Sequence, residues 1–133
     1  MKRILRAIAV SLGLLLVTPA IAEAHTIQYE TNLVLRVSDR TPPPNTAIKF
    51  RARLSSGKAA CFRNRVVVLR KNGVVVDRDR TNEFGLAVFH RNSGTQDANY
   101  QARFRGLTLK SNHLHLHQCL ASVSNIVHVD VQT

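Results

Sequence analysis

The residues best suited to chemistry are histidines near the C-terminal end of the sequence. His113, His115 and His117 alternate with leucine, and His128 follows in a later apolar stretch. If residues 113–117 form a strand, the three imidazoles share one face, with successive Cα atoms about 6.7 Å apart. Two neighbours could then hold a zinc or copper ion, with His128 or Asp130 as a further ligand if the last strand lies alongside. We favour the simpler interpretation, a solvated strand face or surface loop with no cofactor.

A second group of residues carries positive charge. The chain has 133 residues, and 19 Lys and Arg against 8 Asp and Glu give a formal net charge of +11. Outward-pointing basic residues at alternating strand positions could contact anionic polymers. The five candidates for anion binding are Lys49, Arg51, Arg53, Arg103 and Arg105. The competing interpretation is that these charges only keep sheet faces soluble, and because they fall on strands expected in both sheets, one coherent patch is not assured.

Several function classes find no support in the sequence. The acidic residues are few and show no triad order with a histidine, and no glycine-rich phosphate loop is present. The sequence contains no Trp, which argues against sugar binding by aromatic stacking. We therefore expect no catalytic residue, no enzyme activity and no specific nucleic-acid binding.

The first 24 residues have the pattern of a secretory signal peptide. A basic start with Lys2, Arg3 and Arg6 precedes an apolar run over residues 7–17, followed by small residues. The apolar run is too short for a transmembrane helix, which needs about 20 residues. Cleavage after Ala22 or after Ala24 fits the small-residue rule equally well. Either way, we expect a secreted protein, extracellular or periplasmic, with no membrane span in the mature chain.

Removing residues 1–24 changes two properties of the chain. Three basic residues and one acidic residue are lost, so the mature charge becomes +9. If cleavage follows Ala24, His25 becomes the first residue, and its amine and imidazole could chelate copper together with another histidine.

The two cysteines acquire a role in an exported chain. Cys61 and Cys119 are the only cysteines. When a secreted protein has only two cysteines, they usually form a disulfide with each other. Such a bridge would close a loop of about 59 residues and contribute roughly 4 kcal/mol to stability.

The mature chain, residues 25–133, reads as one all-β domain. Residues 48–54 alternate apolar and basic at period two, and Asn72-Gly73 between two valine-rich runs predicts a hairpin with a type I′ turn. Further strands are expected near residues 27–37, 86–90, 100–104 and 126–131, and no helical periodicity is sustained. About seven short strands in a chain of this length indicate an antiparallel sandwich or small barrel.

The order of several short motifs suggests a relationship. They are the segments Arg65-Val66-x-Val68-x-Arg70 after Cys61, Thr81-Asn82-x-x-Gly85, Tyr100-x-Ala102, and Ala121 and Ser124 after Cys119. Their order over residues 48–131 resembles immunoglobulin-like, carboxypeptidase-regulatory-like modules of bacterial secreted and surface proteins. The resemblance implies an immunoglobulin-like β-sandwich with a bridging disulfide, an attachment, spacer or binding role, and no catalysis.

Together these features predict a non-catalytic secreted structural or interaction module. Its expected partners are anionic cell-envelope polymers, contacted through the basic surface, or another surface protein. The alternative is an extracellular metal-binding protein that uses the histidines. The sequence does not indicate an oligomeric state.

Overall fold

A computed structural model describes residues 25–110 and 115–133, together with Gly13 and Leu15. Apart from those two residues, the predicted signal peptide lies outside the described residues, as does His113. Within the described ranges no helix is long and apolar enough to cross a membrane.

The described chain is built from strands, which confirms the prediction of an all-β fold. In chain order they are β1 (His25–Tyr29), β2 (Thr31–Val37), β3 (Ala47–Ser56), β4 (Val66–Lys71), β5 (Val74–Arg80), β6 (Leu86–Asn92), β7 (Ala98–Phe104), β8 (Leu107–Lys110), β9 (His115–Cys119), β10 (Ser122–Val123) and β11 (Val127–Val129). A short 3₁₀ turn covers Ala59–Cys61. The eleven described strands exceed the seven or so expected, partly because some are only two to five residues long.

Two antiparallel sheets enclose the core. One has the order β2-β3-β6, and the other has the order β10-β7-β4-β5 with β11 also paired to β7. The alternation in β3 places Phe50 and Leu54 inside the sandwich and basic side chains outside. Phe50 packs on Tyr100 of the facing sheet with ring centroids 4.3 Å apart. Burial of these apolar side chains is the main favourable contribution to such a fold.

The predicted hairpin joins β4 and β5. Asn72 and Gly73 have φ values of 49° and 81°, as both central residues of a type I′ turn require. Lys71 pairs with Val74 directly across this turn. The local signal in the sequence was therefore sufficient to specify this connection.

The segment 27–37, expected as one strand, is divided between two sheets. β2 joins the main sandwich, whereas β1 forms a third sheet of order β1-β9-β8. The hydroxyl of Thr31, the first residue of β2, donates a hydrogen bond to the Leu120 carbonyl at 2.7 Å. This contact stabilises the point at which the chain passes from one sheet to the other. Strands that change sheets in this way form the corners of many β-sandwiches.

The disulfide between Cys61 and Cys119 is present, as predicted. The two Cα atoms are 5.5 Å apart and both residues are buried. Cys61 belongs to the 3₁₀ turn after β3, and Cys119 is the last residue of β9. The bridge therefore ties the third sheet to the sandwich.

Candidate functional site

The outward face of the β2-β3-β6 sheet carries a dense group of cations, which we call the cationic face. Its basic side chains are Arg36, Lys49, Arg51 and Arg53. Arg36 lies directly opposite Arg51 in the antiparallel β2–β3 register, and Arg53 lies one outward position further along β3. Neighbouring strands are about 4.8 Å apart, so the backbones of Arg36 and Arg51 lie within one Debye length of about 8 Å at physiological salt.

No acidic side chain neutralises this face within the described ranges. None of its four cationic side chains forms an ion pair or a hydrogen bond with a described residue, although Lys49 and its neighbours use their backbone groups in the sheet. Two adjoining grooves of about 520 and 320 Å³ share Arg36 and Arg51 as lining residues. The guanidinium groups are therefore open to a ligand.

The other predicted anion-binding residues lie on a different surface. Arg103 of β7 points outward from the second sheet, and Arg105 follows β7 in an exposed position. Because the inward faces of the two sheets pack against each other, their outward faces point in opposite directions. The five predicted residues therefore lie on two surfaces, with Lys49, Arg51 and Arg53 on the cationic face and Arg103 and Arg105 on the other sheet.

The second face also carries several arginines, four of which line one groove, and it differs from the first in how these residues are paired. Arg103 of β7 and Arg78 of β5 both pair with Val68 of β4, which lies between them. Arg80 donates a hydrogen bond to the Asn64 carbonyl at 3.3 Å. Direct cross-strand apposition of two arginines, as between β2 and β3, is not found there among the described residues.

Sequence reasoning missed Arg36 as a member of the cationic face. The alternation of Leu33, Leu35 and Val37 with outward residues would have placed Arg36 on the solvent face of its strand. That pattern cannot show which residue lies opposite, because the pairing of β2 with β3 depends on register.

The histidines lie on the third sheet and on β11. β1 and β9 are parallel, with His25 opposite His115 and Ile27 opposite His117. The rings of His25 and His115 have centroids 6.4 Å apart and are inclined by 24°. The ring of His117 packs on Tyr29 at 5.5 Å, and its Nδ1 is buried without a hydrogen-bond partner in the described part of the chain.

His128 is separated from this group in the topology. β11 pairs with β7 and not with β9, and the Nδ1 of His128 is 2.7 Å from the Oδ1 of Asn99. Among the residues that the structure describes, no three His, Cys, Asp or Glu side chains form a group that could hold a metal ion. The third ligand that the sequence offered from the last strand is therefore not beside His115 and His117.

Comparison with known proteins adds no assignment. No protein-family model matches the chain, and no curated protein or solved structure shows significant similarity to it. Its function has to be inferred from its own residues.

Proposed function

We propose that this protein is a non-catalytic, exported binding module that holds anionic polymers of the cell envelope on its cationic face. The observation that carries the proposal is the direct apposition of Arg36 and Arg51, with no carboxylate of a described residue paired to either. Like charges directly opposite one another destabilise a sheet. A bound polyanion would neutralise both and remove that cost.

The shape of the cationic face suits an extended ligand. Outward positions along one strand repeat about every 6.7 Å, and neighbouring strands repeat about every 4.8 Å. Lys49, Arg51 and Arg53 follow one strand, with Arg36 beside them. A linear polymer with regularly spaced phosphate or sulfate groups could engage several of these cations at once, whereas a small anion could engage only one or two.

Export is part of the proposal and is supported by two independent features. The N-terminal order of basic, apolar and small residues is typical of a signal peptide. The Cys61–Cys119 disulfide is typical of an oxidising compartment outside the cytoplasm. The resemblance to carboxypeptidase-regulatory-like modules of bacterial surface proteins agrees with such a location, and we retain that family relationship as part of the proposal.

Binding to labelled heparin, with lipopolysaccharide and teichoic acid as competitors, tests the proposed function. The double variant Arg36→Gln/Arg51→Gln should weaken heparin binding by about tenfold or more and lower the salt dependence, because two cation contacts are lost. The matched control is Arg78→Gln/Arg103→Gln, which removes the same charge from the opposite face. If both double variants lose equal affinity, binding reflects net charge alone and the proposed face is wrong.

A further inference from the structure

We propose that the mature protein binds one Cu²⁺ ion at the end of the third sheet, through the imidazoles of His25 and His115 and the α-amine of His25. This inference rests on the export that the proposed function includes, with cleavage after Ala24. It does not depend on the cationic face, since its residues belong to β1 and β9.

The fold brings the two imidazoles together from distant parts of the chain. His25 begins β1 and His115 begins β9, and the parallel register makes them direct partners. Aligned residues of neighbouring parallel strands point to the same face, with backbones about 4.8 Å apart. The ring centroids are 6.4 Å apart and the rings are stacked at 24°. Rotation of the exposed His25 side chain would aim a nitrogen of each ring at one ion, for which a centroid separation of about 6 Å is needed if each metal–nitrogen bond is near 2.0 Å.

Cleavage after Ala24 would supply the remaining donor. The new α-amine and the Nδ1 of the same His25 can close a chelate ring on one ion, so a single residue contributes two ligands. Together with His115 this makes three nitrogen donors from two residues. The site therefore needs only two ligand side chains, and the described residues hold no group of three His, Cys, Asp or Glu side chains suited to a metal ion.

The donor set selects the metal. A set of nitrogen donors favours Cu²⁺, which has the highest affinity in the divalent series. Zn²⁺ also accepts three nitrogen ligands with an open position, but its affinity for a given nitrogen site is lower than that of Cu²⁺. Cys119 lies on the same face of β9 but is held in the disulfide, so it offers no thiolate.

The surroundings fix one ligand and expose the other. His115 is half-buried in β9, and that strand is anchored at its far end by the Cys61–Cys119 bridge. His25 is exposed at the start of β1. An arrangement with one ligand on an anchored strand and one at an accessible terminus leaves a path for the ion to enter.

The test uses protein exported from the full-length precursor and purified from the oxidising compartment. Intact mass and N-terminal sequencing identify the first residue, and calorimetric titration with Cu²⁺ gives stoichiometry and affinity. We expect a chain that begins with His25, one ion per protein, and an electron paramagnetic resonance spectrum with coupling to about three nitrogens. Because the loss of a residue that only hydrogen-bonds to a metal ligand already costs about 10- to 100-fold in affinity, the loss of a ligand in His115→Ala should cost at least about 100-fold.

Matched variants separate this site from its alternatives. His115→Gln repeats the loss of the imidazole with a side chain of similar length, in case His115→Ala perturbs folding, and thermal unfolding monitors both. His128→Ala removes a histidine that is engaged with Asn99 on another strand and should leave affinity unchanged. His25→Ala should weaken binding as strongly as His115→Ala.

Three results would overturn the proposal. A chain that begins with Glu23 would place His25 third from the amine, where backbone amides can chelate copper without His115, and His115→Ala would then leave affinity unchanged. Loss of binding in His113→Ala but not in His25→Ala would move the ion onto the histidines of residues 113–117. Equal binding by all variants would show only adventitious copper. None of these results affects heparin binding, so the copper proposal and the proposed function of the cationic face are tested independently.

Discussion

Arg36 and Arg51 lie directly opposite each other on the solvent face of β2 and β3, and no described carboxylate pairs with either. Replacing Arg51 with Glu would convert a repulsive cross-strand pair into an attractive one. We expect Arg51→Glu to raise the free energy of unfolding by roughly 0.5–1 kcal/mol at low salt while it weakens heparin binding. Urea denaturation and heparin anisotropy measure the two effects, and parallel losses of stability and binding would contradict the prediction.

The disulfide should contribute strongly to stability. Cys61 and Cys119 are 58 residues apart in sequence, and closing a loop of this length lowers the entropy of the unfolded chain by roughly 4 kcal/mol at 25 °C. We expect Cys61→Ala/Cys119→Ala to lose about that much in chemical denaturation. Reduced wild-type protein is the control and should lose a similar amount. A loss below about 1 kcal/mol would show that the unfolded chain is not restricted as the loop length implies.

Two glycines with nearly equal φ should differ in their tolerance of alanine. Gly73 has a φ of 81°, and a Cβ added there would meet open space. Gly85 has a φ of 82°, and a Cβ added there would collide with the Leu54 carbonyl oxygen. Gly73→Ala should cost only the left-handed strain, about 1–2 kcal/mol. Gly85→Ala adds a steric clash and should cost roughly 3 kcal/mol or more. Thermal or urea unfolding distinguishes them, and equal losses would count against the close approach of Gly85 to β3.

Tyr100 should make stability depend on alkaline pH. Burial raises the pKa of its phenol above the ordinary value of 10.0, partly opposed by the charge of Arg91. The unfolded chain therefore releases this proton at a lower pH than the folded chain does. The stability that the protonated phenol contributes is complete below pH 10 and is lost as pH rises through the pKa of the folded state. Tyr100→Phe should show a shallower decline in unfolding free energy above pH 10 than the wild type. Identical slopes for the two proteins would contradict the raised pKa.

The accuracy of the sequence-based predictions follows the range of the interactions involved. The β3 strand and the β4–β5 hairpin were predicted because alternation and the Asn72-Gly73 pair act over a few residues. The division of segment 27–37 at Glu30 was missed, since it depends on contacts with residues around Leu120, some 90 positions away. The predicted anion-binding residues came from two surfaces for the same reason. Alternation along a strand shows which side chains point outward, but it does not show which sheet the strand joins.

The amino-acid sequence alone specified an all-β chain, the pairing of its only two cysteines, and a basic outer surface, because composition and period-two patterning are local properties. Folding determined which charges and which histidines become neighbours. Arg36 meets Arg51 across an antiparallel register, and His25 meets His115 across a parallel one. Register between distant strands is set by the packing of whole faces against a shared core, and no short stretch of sequence contains that information.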